Sequence, residues 1–308
     1  MSTEESNQAN DKELNEANCK KLIADADFEK TMKKGNRETI SDHYIDSDSK
    51  VTDQLKIFKY KVFVRLYAKR VRFKNVSFEH CTFDNCYFNS CVFDTCDFTG
   101  CKFIGCNLHQ STFQNCKFDY AFFERTQLDF ESINPSTPDK DNLVRTFART
   151  LRMNFQQIGD AKSVNEAISL ELSATSSYLK KSWSSTEEYY QEKYGGVGRV
   201  YQFGKWLKFK AFDFIWGNGE SLTKLGRTIF LIIFCIALYL VNGQTGGSET
   251  SALSIFPNAF VQAITWFFSG SPPKGIDDVP MITSFLTFFR LVSIALLTSI
   301  LVKRLGRR

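Results

Sequence analysis

The chain has 308 residues, of which 43% are hydrophobic, and a formal net charge of +5. Its length suits about two or three domains, and a mean hydropathy of −0.25 excludes a protein built mostly of membrane spans. The basic excess does not indicate nucleic-acid binding, because nine Lys and Arg residues flank the apolar segments near the C-terminus.

The first 55 residues are rich in Asp, Glu, Asn, Ser and Lys and poor in aromatic residues, which predicts a mobile polar tail. This tail has no apolar segment of the signal-peptide kind, so we expect the region before Leu222 to stay in the cytoplasm. From Lys56 to Lys74 there are eight basic residues and no acidic one, with aromatic residues between them. Such a strip can contact anionic lipid or nucleic acid, but we interpret it as a cap on the next domain.

A sequence period of five begins at Phe73 and continues without a gap to Ile133. Neither a helix nor a simple alternating strand has this period. Each repeat has one large apolar residue, usually Phe, and a small or slim residue two positions before it. The core positions include Phe83, Phe88, Phe93, Phe98 and Phe103, and the small positions include Cys81, Cys86, Cys91, Cys96, Cys101 and Cys106.

This pattern resembles the pentapeptide-repeat family. The resemblance implies a right-handed, four-sided β-helix over residues 56–134, with one repeat on each face and the Phe or Leu inside. Thirteen repeats then give about three coils, a column about 15 Å tall at the spacing of stacked strands. Some members of the family mimic DNA. Eight acidic and five basic residues in these repeats give too weak a charge for mimicry, so we predict no nucleic-acid partner.

Seven of the nine cysteines lie in the repeat register. Their spacing of five or ten residues differs from the close pairs of metal sites, so we predict no metal and reduced, buried thiols that act as small hydrophobic groups. The chain has three His residues and no nucleophile motif or phosphate-binding loop. We therefore expect neither an enzyme nor a cofactor.

Two prolines after Asn134 predict the end of the column. A helical linker over residues 135–198 follows, with a C-terminal cap at Gly159 and a capping box from Ser163 to Glu166 that opens the second helix. This helical pair resembles the segment that follows pentapeptide repeats in proteins ending in a two-span channel. Residues 199–220 mix Trp, Phe, Tyr and Lys, which predicts an interfacial helix at the inner headgroup layer.

Two apolar segments, Leu222–Val241 with 20 residues and Met281–Val302 with 22, are long enough to cross a bilayer. Ala259–Phe268 between them is too short to cross, which predicts a re-entrant helix. Residues 221–308 thus resemble the two-span, pore-loop ion-channel family that includes bacterial potassium channels. The resemblance implies a multi-domain membrane protein, a homotetramer that conducts inorganic ions.

Counts of Lys and Arg predict the orientation in the membrane. There are five in residues 204–227, four in residues 302–308, and only Lys274 in the connection between the spans. We therefore expect a multi-pass protein of the inner cell membrane, with both termini in the cytoplasm.

The sequence between the two spans matches the motif of a potassium filter poorly. The stretch from Thr265 to Ser271 matches the family's filter motif only at Thr265 and Gly270, with Phe268 in place of the first glycine. We predict a pore with weak or no potassium selectivity. The candidate pore residues are Thr265, Phe268, Ser269, Gly270, Ser271, Lys274 and Arg290.

Arg290 interrupts the second span, and the sequence allows two interpretations of its position. It either faces the axis of a tetramer, where with Lys274 it favours anions, or lies near the outer surface paired with Asp277 or Asp278. The function predicted is an ion-channel subunit, a poorly selective cation or anion pore with the β-helix as a gating or assembly module. The alternative is a membrane-anchored scaffold that binds a cytoplasmic partner of unknown identity without conducting.

Overall fold

The computed structural model describes residues 37–45, 56–245, 252–272 and 280–306. Its first half is a β-solenoid whose four sides are parallel sheets. Phe63, Phe83 and Phe103 are direct partners on successive coils, so each coil takes twenty residues and four repeats. The strands are β1 Thr39–Ser41, β2 Tyr44–Ile45, β3 Lys56–Ile57, β4 Val62–Val64, β5 Tyr67–Lys69, β6 Arg72–Lys74, β7 Val76–Ser77, β8 Thr82–Asp84, β9 Tyr87–Asn89, β10 Val92–Asp94, β11 Lys102–Ile104, β12 Thr112–Gln114 and β13 Phe122–Glu124.

The solenoid has about four turns, whereas the sequence predicts about three. One side is a five-stranded sheet in the order β1, β4, β8, β11 and β13. Its first strand lies inside the predicted polar tail, and Ile40 pairs with Phe63, 23 residues later instead of twenty. This shift of three residues removes the first coil from the register of five. The rest of the predicted tail, residues 1–36 and 46–55, lies outside the described residues.

The basic strip predicted as a cap is instead a coil of the solenoid. Phe63 and Ala68 occupy inward positions there and are buried. Acidic residues of the first coil neutralise part of the positive charge of this strip. Arg65 Nε lies 2.6 Å from Asp42 Oδ1, and Lys61 Nζ lies 2.6 Å from Glu38 Oε2. The contact with Arg65 holds the pKa of Asp42 below its usual value.

Stacked aromatic rings fill the solenoid. Phe83 and Phe103 have ring centroids 4.9 Å apart, and Phe103 and Phe123 have centroids 5.1 Å apart, with nearly parallel planes in both pairs. Phe98 lies 5.3 Å from Phe78 in a neighbouring stack. The spacing follows from the distance between stacked strands, because identical residues recur at identical positions on each coil. The repeated Phe therefore forms a continuous apolar core.

The small positions supply hydrogen bonds as well as space. Cys106 Sγ donates to the Phe83 carbonyl oxygen at 3.3 Å, and Thr126 Oγ1 donates to the Phe103 carbonyl at 3.1 Å. The cysteines of the repeats are buried and free. Burial raises the pKa of the Cys91 and Cys101 thiols, which keeps them protonated as donors.

Each corner of the solenoid places one residue in the left-handed region of backbone conformation, and Gly100 shows what this requires. Its φ is +68°, and a Cβ atom there would lie 2.3 Å from the His80 ring. The His80 ring in turn stacks on Tyr60 with centroids 5.1 Å apart. Only glycine leaves room for this ring.

Helices make up the second half of the chain. They are α1 Phe130–Ile133, a 3₁₀ turn Asn134–Ser136, α2 Asp141–Ile158, α3 Ala161–Ser184, α4 Glu188–Lys193, α5 Val197–Trp216, a 3₁₀ turn Gly217–Gly219, α6 Leu222–Thr245, α7 Ala252–Ser269 and α8 Pro280–Leu305.

Helices α2 and α3 form a hairpin around Gly159, which has a φ of +78° and caps α2 as predicted. The second helix begins earlier than the predicted capping box. Asp160 is its N-cap, and its carboxylate accepts a hydrogen bond from the Ser163 N–H at 3.1 Å. The side chain next to the glycine thus takes the role that the sequence pattern assigned to Ser163.

The hairpin closes the open end of the solenoid. Asn154 of α2 is fully buried. Its Oδ1 accepts from the Thr126 N–H and its Nδ2 donates to the Thr126 carbonyl, both at 2.8 Å. Gln157 Oε1 accepts from the Arg125 N–H at 3.0 Å. These amides pair backbone groups of the last coil that have no further strand beside them.

Substitutions of two adjacent phenylalanines in β13 test which side chains point into the solenoid and which point outward. Phe123→Ala removes a ring that is 1% exposed and should destabilise the protein by about 3–5 kcal/mol. Phe122→Ala, the matched control, removes a ring that is 37% exposed and should cost roughly 1 kcal/mol or less. Thermal melts of the full chain in detergent, followed by circular dichroism, measure the difference. Equal melting temperatures would show that the assigned register is wrong.

A second prediction concerns the closure of the solenoid. Asn154→Leu keeps the side-chain volume but leaves the Thr126 N–H and carbonyl unpaired, at a cost of roughly 2–5 kcal/mol. Gln157→Leu, which affects one bond at the exposed rim, should cost about 1 kcal/mol. Chemical denaturation of both variants provides the comparison, and a loss at Gln157 as large as that at Asn154 would contradict the assignment.

Candidate functional site

Two helices near the C-terminus are long and apolar enough to cross a membrane. The stretches are Leu222–Gly243 in α6, with a hydropathy of 2.0, and Met281–Lys303 in α8, with a hydropathy of 2.2. Few of their residues are buried within one copy of the chain. The exposed apolar surface that remains is suited to lipid or to other copies.

Helix α7, which lies between the two candidate spans, is longer than predicted. It has 18 residues, whereas the sequence predicts a re-entrant segment of ten. It runs antiparallel to α6, with Phe260 beside Phe230 at 6.1 Å between ring centroids and Phe256 beside Phe234 at 5.7 Å. A helix of this length is about 27 Å long and reaches the lower end of the range for spanning helices.

The stretch compared with a potassium filter is largely helical. Thr265 to Ser269 form the last turn of α7, and Thr265 Oγ1 donates to the Val261 carbonyl at 3.0 Å. Trp266 is buried, whereas the Phe268 side chain is 64% exposed. The backbone carbonyls up to Thr265 are therefore directed along a helix, and an extended filter strand does not occur at these positions.

A helical pattern in the sequence marks this continuation. Ala259, Ala263, Trp266 and Phe267 are all buried in the core shared with α6. They stand at i, i+4, i+7 and i+8, which is one face of an α-helix. Because the stretch from Thr265 was compared with a filter motif, this helical spacing was not used to predict the length of α7.

Gly270 ends α7. Its φ is +78°, and its N–H donates to the Trp266 carbonyl at 2.9 Å. Beyond it the Ser271 N–H donates to Ser269 Oγ at 3.2 Å. Lys274 and the two acids considered as partners for Arg290 lie outside the described residues.

Arg290 of α8 contacts the end of α7. Its Nη1 donates to the Phe268 carbonyl at 3.0 Å. The guanidinium lies so close to Gly270 that a Cβ atom there would be 2.7 Å from Nη1. The last carbonyls of a helix carry partial negative charge, so this position stabilises a cation. Neither interpretation from the sequence included this partner, which lies on the helix before it.

The base of α6 is joined to α5 by polar contacts. Lys224 Nζ lies 2.7 Å from Asp213 Oδ1, and Thr228 Oγ1 donates to the Ile215 carbonyl at 2.8 Å. Lys303, near the end of α8, forms an ion pair with Glu220. Asp213 and Glu220 were not among the predicted site residues, although each is an isolated acid beside an apolar segment.

Helix α5 has the exposed surface of an interfacial helix. Val200 and Phe214 are more than half exposed. Lys205 Nζ lies 4.3 Å from the centre of the Tyr201 ring. Exposed apolar side chains next to lysines match the composition of helices that lie at a membrane surface.

The contact between Arg290 and α7 predicts a local effect. Arg290→Gln removes a charge-assisted hydrogen bond and should raise hydrogen exchange at the amides of residues 266–270 by about tenfold. Gly270→Ala should give the same result, because its Cβ would displace the guanidinium. Lys303→Gln is the control, since it removes a cation from the same helix without contacting α7. Unchanged exchange in both test variants would refute the capping role.

The match to a known protein family lies in the solenoid and the residues directly after it. The family model for the pentapeptide repeat region matches residues 68–142. No curated protein matches the chain. Two solved structures are similar, both trypsin-treated variants of QnrB1, a plasmid-mediated fluoroquinolone resistance protein, at 14% and 16% identity with TM-scores of 0.15 and 0.11. Each match covers 30% of this chain, and the chain covers 62% and 55% of the two solved chains. The predicted pentapeptide repeats are confirmed, and the matched family model ends before the apolar helices.

Proposed function

We propose that the chain is a subunit of an oligomeric ion-conducting pore, with the solenoid as a gating or assembly module at the cytoplasmic face. The observation that supports this most is a third apolar helix, α7, which shares one core with both candidate spans and whose end is held by Arg290. A simple tether needs only the spans. A charged side chain within an apolar span that contacts the end of a neighbouring helix is typical of a functional element.

Helix α8 supports the oligomer. Phe285, Phe288, Leu291 and Ile294 are each more than half exposed on it. They are spaced three residues apart and cover roughly half of the circumference of the helix. An exposed apolar face of this width can contact both lipid and neighbouring copies. The resemblance to two-span channels makes a homotetramer the assembly we propose.

The proposed orientation follows from the ends of the helices. Glu220 before α6 and Lys303 late in α8 form an ion pair, which supports both ends on one side of the membrane. The basic residues gather at that side, as they do at cytoplasmic surfaces. We therefore place the solenoid and both termini in the cytoplasm, beneath the inner membrane.

The selectivity we propose is weak. A helical last turn takes the place of a row of filter carbonyls, which removes the basis for excluding sodium. The contact of Arg290 with the Phe268 carbonyl offsets part of its charge at the end of α7. A poorly selective cation pore is therefore preferred to an anion pore, which is the runner-up.

A membrane-anchored scaffold is the second candidate. On the outside of the solenoid, Tyr44, Tyr67 and Tyr87 form a stacked ladder with centroids 5.1 and 4.8 Å apart. Tyr44 is 67% exposed at the end of this ladder. A flat aromatic surface of this kind suits a protein partner.

The pore proposal predicts conductance. The purified chain in planar bilayers, with potassium chloride on one side and sodium chloride on the other, should pass current with a reversal potential close to zero. A potential that follows the potassium gradient would contradict the weak selectivity. A monomer in detergent without conductance would overturn the pore and leave the scaffold.

A further inference from the structure

A large cleft lies between the cytoplasmic helices and the base of the apolar ones. Its volume is about 1230 Å³, enough for a substantial ligand. One wall is α3, and the other is formed by α5, the 3₁₀ turn after it and the start of α6. Neither the pore nor the solenoid accounts for this cleft.

The charges in the cleft do not balance. Asp213 and Glu220 line it, but they are paired with Lys224 and Lys303. Lys180 on α3 and Lys210 on α5 also line the cleft, from opposite walls. Within the described parts of the chain, neither of these two lysines has an acidic partner within ion-pair distance. The cleft is therefore positively charged.

Hydroxyl groups cover the wall that α3 contributes. Ser169, Ser176 and Ser177 line the cleft, and their hydroxyls have no hydrogen-bond partner among the residues described. Free hydroxyl donors and two ammonium groups that line the same cleft match a ligand with several acceptor oxygens. A phosphate group has this chemistry, since it combines negative charge with strong acceptors.

The position of the cleft indicates where such a ligand comes from. Leu222, the first residue of one candidate span, and Leu301, close to the end of the other, line the same cleft. Trp206 and Phe209 of the interfacial helix add an apolar wall. A headgroup can thus enter from the membrane surface while its acyl chains stay beside the apolar helices.

We propose that this cleft binds the phosphate of an anionic phospholipid, with Lys180 and Lys210 as counter-charges and the serine hydroxyls as donors. The proposal rests on the membrane location of α6 and α8 in the proposed function, but not on conduction. A soluble phosphate compound shares the same chemistry, and the experiment separates the two sources.

The test uses native mass spectrometry of the full chain in detergent with added phosphatidylglycerol or phosphatidylcholine. Wild type should retain phosphatidylglycerol preferentially, and Lys180→Gln/Lys210→Gln should lower its retention about tenfold. Lys205→Gln/Lys208→Gln is the matched control, because it removes two lysines of α5 that do not line the cleft. Ser176→Asp, which places an acid on the α3 wall, should lower retention as well. Inorganic phosphate and glycerol 3-phosphate are added as competitors.

Equal loss of phosphatidylglycerol in the test and control pairs would overturn the site in favour of general attraction to the basic surface. Displacement by millimolar inorganic phosphate would overturn the lipid source and assign the site to a soluble phosphate compound. Selective loss in a protein that shows no conductance would support the cleft while the pore proposal fails. A conducting protein whose test pair retains lipid as wild type does would refute the cleft alone.

Discussion

The open edge of the last solenoid coil is the constraint on which the rest of the chain depends. A parallel ladder that stops leaves backbone N–H and carbonyl groups unpaired, and an apolar interior open beneath them. The side chain of Asn154 pairs one residue of that edge in both directions, and Phe147 on the same helix covers the Phe118 ring. Helix α2 is thus fixed to the solenoid. Helix α3 packs on α2, and α5 packs on α3, so the later helices are linked to the solenoid through this closure.

The interior of the solenoid is predictable from sequence because each coil places the same residue types at the same inward positions. The two ends of the solenoid are not predictable in this way. The first coil carries a shift of three residues at Ile40, and a periodic pattern cannot reveal a coil that breaks the period. The closing residue, Asn154, pairs with a position 28 residues away, and a polar residue in an amphipathic helix gives no sign of such a partner. The cap at Asp160 was missed because the capping box from Ser163 to Glu166 predicted a later start, whereas in the structure Ser163 donates its N–H to Asp160.

Composition predicts the two candidate spans well, because length and apolarity alone decide whether a helix can cross a bilayer. It fails for α7. Pro257 interrupts the apolar run, so the sequence suggests a start at Ala259, whereas the helix begins at Ala252 and includes the proline. Pro257 is the sixth residue of this helix, so its missing N–H removes one intrahelical hydrogen bond, and the helix nevertheless continues through it. Arg290 shows the same limit, since its acceptor is a main-chain carbonyl 22 residues away that has no signature in the sequence.

Polar side-chain contacts join the three apolar helices to α5 and to one another at different places. Asp213 joins α5 to the base of α6 through Lys224, and Glu220 joins that base to the end of α8 through Lys303. A shift of α5 therefore acts on both candidate spans together. The side chain of Arg290 on α8 donates a hydrogen bond to the Phe268 carbonyl at the end of α7. Because α7 also packs on α6 through a shared apolar core, a rotation of α8 would change the contact at the end of α7 while the body of α7 stays on α6. The arginine is thus the point at which a rigid-body movement becomes a local change in the candidate pore.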